Sequence, residues 1–308
     1  MSKALSSLAV GATIEVPVKA AFQSYLGKTV VFKVADKNHS GYPANSVTLI
    51  TDKIPFLLAF DAIEASNSDS NRRSYGNNRY SLANLLQWLN SNAAAGKWYS
   101  AKHSADAPPT AANVWSSHNP YSDKAGFLAM LDERFVAALL ETTVTVAKNT
   151  VTDGGSYETV KAKMHLPSTT EVGLANENNI AEGVKLALFS DNTSRLAYPT
   201  AECVSNSTYK DSNLKTSAAW YYWLRTPYSG DSYSVRAVNS SGALGYSLAY
   251  SGSRGVRPLC NLNSSILVSD STNAKGNYEF QWNAAPSTPS GISSGQKIAV
   301  SWGASTDP

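Results

Sequence analysis

The sequence predicts an α+β fold built of short antiparallel strands and two to three helices. β-Branched, partly alternating runs recur along the chain, as in 29–35 (T-V-V-F-K-V-A), and such runs suit a pleated, half-buried surface. Leucines spaced i, i+3, i+4 and i+7 occur over 82–89, the signature of one helix face. Charged residues make up only 16% of the 308, below the usual share of about 25%. Ser, Thr and Asn must therefore supply much of the polar surface, a balance common among extracellular and virion β-rich proteins.

Taken in order, residues 12–18 (A-T-I-E-V-P-V), 29–35 and Ser46–Thr51 (S-V-T-L-I-T) are expected strands, with Gly41-Tyr42-Pro43 breaking the pattern between the last two. Residues 65–78 read as a polar loop with nothing apolar to bury. Ser81 is the expected cap of a helix whose buried stripe is Leu82, Leu85, Leu86 and Leu89, with Asn90-Ser91-Asn92 at its end. Residues 97–121 form a long connection holding two His and two Trp. A second short helix is expected over 132–141, with Phe135, Ala138 and Leu139 on one face. Strands should follow at Thr142–Ala147 and 160–166. Ser168-Thr169-Thr170-Glu171 has the spacing of a capping box, so a brief helix is expected to begin there. Near the end, 270–276 and 284–291 are linker-like, rich in Ser, Thr, Pro, Asn and Gly, and 297–302 (K-I-A-V-S-W) alternates as a strand.

The stretch that organises the chain is 220–268. It opens with W-Y-Y-W-L-R-T-P and resumes with G-V-R-P-L-C-N-L, both reading as core strands. Between Thr226 and Val256 lie four Tyr, eight Ser, five Gly and one Asn, with three charged residues and neither Lys nor Glu. Tyr supplies broad amphipathic contact at low entropic cost, and Ser, Gly and Asn supply adaptable hydrogen bonding, so this is the composition of a binding surface. The expected ligand-binding residues are Tyr228, Ser229, Asp231, Tyr233, Asn239, Tyr246, Tyr250, Ser251 and Ser253; their alternative is ordinary strand and turn filling. Arg236 is either a binding anchor or a framework ion pair. Arg225 and Arg257 are expected to be buried and to satisfy backbone carbonyls, and Trp220, Trp223, Leu224 and Val256 to be core.

Catalysis finds little support. The four histidines, His39, His103, His118 and His165, are scattered, and no Ser or Cys sits in a recognisable nucleophile motif. His103 and His118 share a loop with Asp106 and Asp123, a weak spacing for a metal. Asp61, Asp69, Asp191 and Asp211 form no calcium-loop motif. No catalytic residue, metal or cofactor is therefore expected. Cys203 and Cys260 have no zinc spacing and are either a bridge or two buried thiols. A net charge of +3 without a Lys/Arg cluster argues against nucleic acid. No apolar run approaches the ~20 residues of a membrane span, and the N-terminus has none long enough for a secretion signal.

W-L-R-T-P at 223–227 and G-V-R-P at 255–258 carry a family resemblance. So do V-T-L-I-T at 47–51, N-N-R-Y-S-L-A-N-L-L-Q-W-L-N from Asn77, Gly126-Phe127-Leu128, and L-P-S-T-T-E-V at 166–172. Residues 5–269 resemble phage- and prophage-encoded tail or surface modules, which are similar to C-type lectin-fold proteins. Some of those are variable proteins of diversity-generating retroelements. The resemblance implies a C-type lectin-like recognition domain over 1–270, located in a virion tail or at a bacterial surface. It also implies host cell-surface proteins or glycans as ligands, and other tail or virion proteins as partners. A homotrimer is an assembly common among tail proteins, although no heptads enforce one here. In retroelement systems adenine randomisation of A-A-C codons cannot produce Lys, Glu, Gln, Met or Trp, and none of these occurs in 226–256. Formylglycine-generating enzymes share a related fold, but Cys203 and Cys260 lie outside their paired-cysteine motif. A glycan-binding bacterial module and a structural decoration domain are the competing readings. After a linker at 271–287, residues 288–308 resemble the opening strands of a fibronectin type III domain. That sandwich needs about seven strands, so the parent chain is expected to carry further domains.

Overall fold

A computed structural model describes residues 2–282. The expected fibronectin-like strands and the last residues of the expected linker lie outside the described residues. The chain begins with strands β1 (Ser2–Ala4) and β2 (Thr13–Pro17), helix α1 (Gln23–Leu26), and strands β3 (Thr29–Lys37), β4 (Ser46–Thr51) and β5 (Phe56–Leu57). Helices α2 (Ser70–Tyr75), α3 (Asn84–Leu89), α4 (Phe127–Met130) and α5 (Glu133–Ala138) follow. Then come β6 (Leu139–Leu140), β7 (Thr142–Ala147), β8 (Tyr157–Ala162) and β9 (Met164–His165), and the short helices α6 (Asn192–Arg195) and α7 (Ala201–Asn206). The chain closes with β10 (Tyr222–Pro227), β11 (Ser234–Val238), β12 (Leu244–Leu248), β13 (Gly255–Val256), β14 (Leu259–Asn263), β15 (Leu267–Ser269) and β16 (Tyr278–Glu279). The result is a sheet-dominated α+β fold with short helices.

Two sheets carry most of it. One has the order β16-β2-β3-β4-β14-β6, with β9 also on β14; the other runs β12-β11-β10-β13-β5. Pairing is antiparallel except for β16 with β2 and β10 with β13. Two stretches pass from one sheet to the other side by side, β4 into β5 and β14 back into β13, so G-V-R-P marks a shared corner. Arg257 explains the motif. Its Nε donates to the Thr51 carbonyl at 2.9 Å, and its guanidinium lies over the Tyr222 ring at 5.3 Å, so the bend is satisfied from inside. The larger core includes Phe32, Phe60, Trp88, Phe127, Phe135 and Trp223. A second cluster gathers Phe189, Leu186, Tyr222, Leu224 and Val238 on the opposite face of β10 and β11.

The expected strands at 46–51 and 142–147 form with those bounds, while 160–166 divides between β8 and β9. Four local expectations need correction. Ser81 does not cap a helix, because it lies inside a separate 3-10 turn, Tyr80–Leu82. The first amide of α3, that of Asn84, is met instead by the carboxylate of Asp61 at 2.9 Å, a partner distant in sequence. The polar loop 65–78 contains α2, capped by Asp69. Arg72 is the one buried residue of this helix, and it bonds the Ser232 carbonyl and Asp153. The capping-box hydrogen bonds of Ser168 and Glu171 do form, each at 3.1 Å, but they close a turn and no helix follows. Residues 271–282, expected as linker, supply β16 and the Phe280–Trp282 stack against Phe135.

Candidate recognition surface

β10 is buried along its whole length, as the aromatic and apolar run W-Y-Y-W-L requires. Trp223 faces the larger core and donates its indole N–H to the Leu58 carbonyl at 2.8 Å. Arg225, at the end of that run, is fully enclosed. Nε donates to Thr145 O at 3.1 Å, Nη1 to Leu166 O and Glu171, and Nη2 to Glu171 and Glu182 O. All five guanidinium donors are thus used. Burial works against the charge of Glu171, but Arg225 and the Tyr42 hydroxyl, 2.6 Å away, hold its carboxyl below the ordinary range. Thr226 donates to Glu182 and accepts the Thr169 amide. Burial pushes the Glu182 carboxyl up to about 7, against the opposing charge of Arg225. The polar residues of R-T-P therefore anchor β10 to the segment 168–182.

From this anchor the chain leaves as a displayed hairpin. Asn78 is buried and its amide donates to the carbonyls of Tyr228, Asp231 and Ser234, which fixes the loop between β10 and β11. Asp231 turns the same loop by accepting the amides of Tyr233 and Ser234. Asn239 does the equivalent between β11 and β12, accepting from Ser241 and Ala243. Gly242 in that turn has φ +80°, and a Cβ there would lie 2.0 Å from Asn192 O, so no other residue fits.

On the hairpin, Arg236 and Tyr246 are cross-strand partners. The rings of Tyr228 and Tyr246 stack with centroids 5.2 Å apart at 15°. The guanidinium of Arg236 lies 4.6 Å from the Tyr228 ring and 6.0 Å from that of Tyr246. Glu177 accepts from Arg236 Nε at 2.6 Å and from the Ser229 amide at 2.8 Å, which clamps the stack from below. Tyr246 remains 59% exposed on an edge strand. A second aromatic group joins Tyr233 to Tyr75 at 5.0 Å, and Tyr75 to Tyr250 at 5.9 Å.

The nine expected binding residues therefore divide. Tyr228 and Tyr246 come together, as do Tyr233 and Tyr250. Ser229, Asp231 and Asn239 are half-buried and serve the turns. Ser251 and Ser253 are buried, which removes them from the ligand-facing set. Their segment is drawn inward because Trp220 bonds the Ser253 carbonyl and Asn119 the Gly252 carbonyl. Arg236 turns out to be both an ion-pair member and part of the aromatic surface. Tyr75 and Glu177 escaped sequence reading, and Asn78 entered it only as part of the N-N-R-Y segment, without a role.

Elsewhere, Cys203 and Cys260 are separate buried thiols. His39 pairs with Asp36, His103 lies beside Glu64, and His118 packs on Trp115 and Tyr209. Burial lowers His165 to about 4. Among the described residues no group of three His, Cys, Asp or Glu side chains is placed to hold a metal. No described helix is long and apolar enough to cross a membrane. Two cavities, of about 180 and 350 Å³, are lined by residues such as Tyr25, Lys124 and Glu202, and by Val30, Lys53 and Lys275. Neither involves 226–256.

Compared with known proteins, residues 45–264 match the model of a family described as a domain of unknown function, DUF6273. No curated protein and no solved structure matches.

Proposed function

The chain belongs to the DUF6273 family, and from that premise we propose that it is a recognition protein: a phage or prophage tail-associated receptor-binding module with a C-type lectin-like scaffold. The observation that carries the reading is the Tyr228–Arg236–Tyr246 stack, held on an edge hairpin by Glu177 and left open at Tyr246. Aromatic and arginine side chains on a rigid support concentrate binding energy in a few anchors. The neutralised guanidinium leaves a face that suits a host protein or a glycan, in a virion tail or at a bacterial surface. Retroelement diversification of 226–256 would fall on exposed turn residues such as Ser240 and Ser241 and would have to spare the turn-forming Asp231, Asn239 and Gly242.

The first test compares the encoding locus with itself. A near-copy of the codons for 226–256 that differs only at adenines, beside a reverse-transcriptase gene, supports diversified recognition. The second uses the labelled full chain on a glycan array and on cells of the bacterium that carries the gene and of its relatives. The double variant Tyr228→Ala, Tyr246→Ala should lose attachment at least tenfold with an unchanged melting temperature. Undiminished attachment of that variant would sink the reading of the stack as the binding face, and absence of attachment by the parent chain would favour a structural decoration domain.

A further inference from the structure

Outside the Tyr228–Tyr246 stack, a second set of side chains has the make-up of a ligand site. Trp115, His118, Tyr209 and Tyr221 form a run of rings continued through Trp220. Centroids are 5.1 Å apart for Trp115–His118, 5.2 Å for His118–Tyr209 and 6.0 Å for Trp220–Tyr221. Arg254 rests on the Tyr221 ring at 4.6 Å.

The guanidinium is the informative member. Its Nε and Nη1 donate to the hydroxyls of Ser247 and Ser253, at 2.6 and 3.2 Å. Among the described residues it has no carboxylate partner, unlike Arg72, Arg79, Arg225 and Arg236. Arg195 and Arg257 also lack one, but both are buried and donate to backbone carbonyls, whereas Arg254 is half-buried and bonds only hydroxyls. Its Nη2 makes no hydrogen bond there and is not among the sealed polar atoms. A half-buried cation without a counter-charge is costly, and an anion from outside would offset that cost with a charge-assisted bond. Asp211 accepts a hydrogen bond from the Tyr209 hydroxyl at 3.3 Å and makes no ion pair with Arg254.

The rings beside it are held in advance. Ser116, Ser117 and Asn119 have φ of 49°, 58° and 51°, a run of left-handed non-glycine backbone that persists only when its surroundings enforce it. Asn119 does so, bonding Thr208, Ser207 and the Gly252 carbonyl. Trp115 is 36% exposed, and its indole N–H and the His118 ring nitrogens have no hydrogen-bond partner among the described residues. Flat apolar faces with free donors at their edges match the amphipathic faces of a sugar ring.

We propose that Arg254, Trp115, His118, Tyr209 and Tyr221 form a binding subsite for a carboxylated pyranose, with the carboxylate on Arg254 and the sugar ring against the aromatic shelf. The site shares no residue with the Tyr228–Tyr246 stack, so the two can fail separately. The test titrates the full chain with glucuronate, glucose and acetate, following saturation-transfer NMR. Glucuronate should bind saturably and at least fivefold more tightly than either control. Arg254→Gln and Trp115→Ala should each weaken it at least fivefold, while Tyr228→Ala, Tyr246→Ala leaves it unchanged. Should Arg254→Gln fail to fold, the half-exposed Trp115→Ala carries the test. Equal binding of acetate would mean a bare charge site, and equal binding of glucose a neutral one. Either result, or no binding of glucuronate, or binding indifferent to the variant that folds, overturns the proposal.

Discussion

At the scale of single residues, the sequence is most informative where burial and charge collide. Arg225 reads in the sequence as a buried arginine that bonds carbonyls, and it is one, but its carboxylate partner was hidden. Glu171 looked like a capping-box acid because that motif is local, while its pairing with Arg225 spans 54 positions. Arg225→Lys keeps the charge but has three donors for five positions, and should cost at least about 1–3 kcal/mol, the penalty for a buried acceptor left unpaired; the urea midpoint measures it. The pH dependence follows from two neighbours with opposite signs. Glu182 is raised from 4.5 to about 7 by burial, so its contribution is complete below pH 4.5 and is lost as pH rises through about 7. His165 is lowered by burial to about 4, so its contribution is complete above 6.5 and is lost as pH falls towards 4. Between 4.5 and 6.5 the two slopes oppose each other; above that only the Glu182 loss remains. Glu182→Gln should therefore gain on the parent between pH 5 and 8, by on the order of 2–3 kcal/mol at the upper end. Parallel urea-midpoint curves over that range would refute the raised carboxyl.

At the scale of elements, legibility followed chemistry that is local. β4 and β7 matched their expected bounds because β-branched runs such as S-V-T-L-I-T specify a strand by themselves. Helix α2 was missed because S-N-R-R-S-Y has no apolar stripe; Asp153 and the Ser232 carbonyl, which hold its Arg72, come from distant segments. The hairpin shows the same division. Its composition announced a displayed surface, but burial of Ser251 and Ser253 depends on Trp220 and Asn119, and no local pattern reports that. This sets a limit on variation that a library can check. Codons randomised at Tyr228, Ser229, Ser240, Ser241 and Tyr246 should yield mostly folded protein. Substitution at Gly242 or Gly252 should not, because a Cβ at either lies 2.0 Å from a backbone carbonyl oxygen, that of Asn192 or His118. Display followed by protease challenge reads the folded fraction at each position, and tolerance at Gly252 equal to that at Ser240 would contradict the packing.

At the scale of the whole molecule, the two sheets are joined at one corner, and the aromatic hairpin grows from the sheet that contains neither β2 nor β16. The N-terminal β2 and the C-terminal β16 instead close the other sheet, with Tyr278 paired to Ile14 and Glu279 to Glu15. Asn277 adds a side-chain bond to Glu15 at 2.8 Å, and Phe280 packs 5.8 Å from Phe135. A boundary at residue 270, drawn where Ser, Thr and Gly become frequent, therefore cuts through the folded body. Low apolar content at 270–276 is a property of the turn that brings β16 back, since Asn273 accepts the amides of Lys275 and Asn277. A chain ending at Asp270 should lose about 3–5 kcal/mol, the range for truncating one core Phe or Trp, relative to one ending at Trp282. The loss should fall on the sheet of β2 and β3 and leave the hairpin in place. Amide exchange of the two chains would show it: faster exchange in 13–37, with 222–248 keeping its protection. Equal protection in 13–37 would mean that the strand after residue 270 is dispensable, and loss of protection across both sheets that the corner couples them into one cooperative unit.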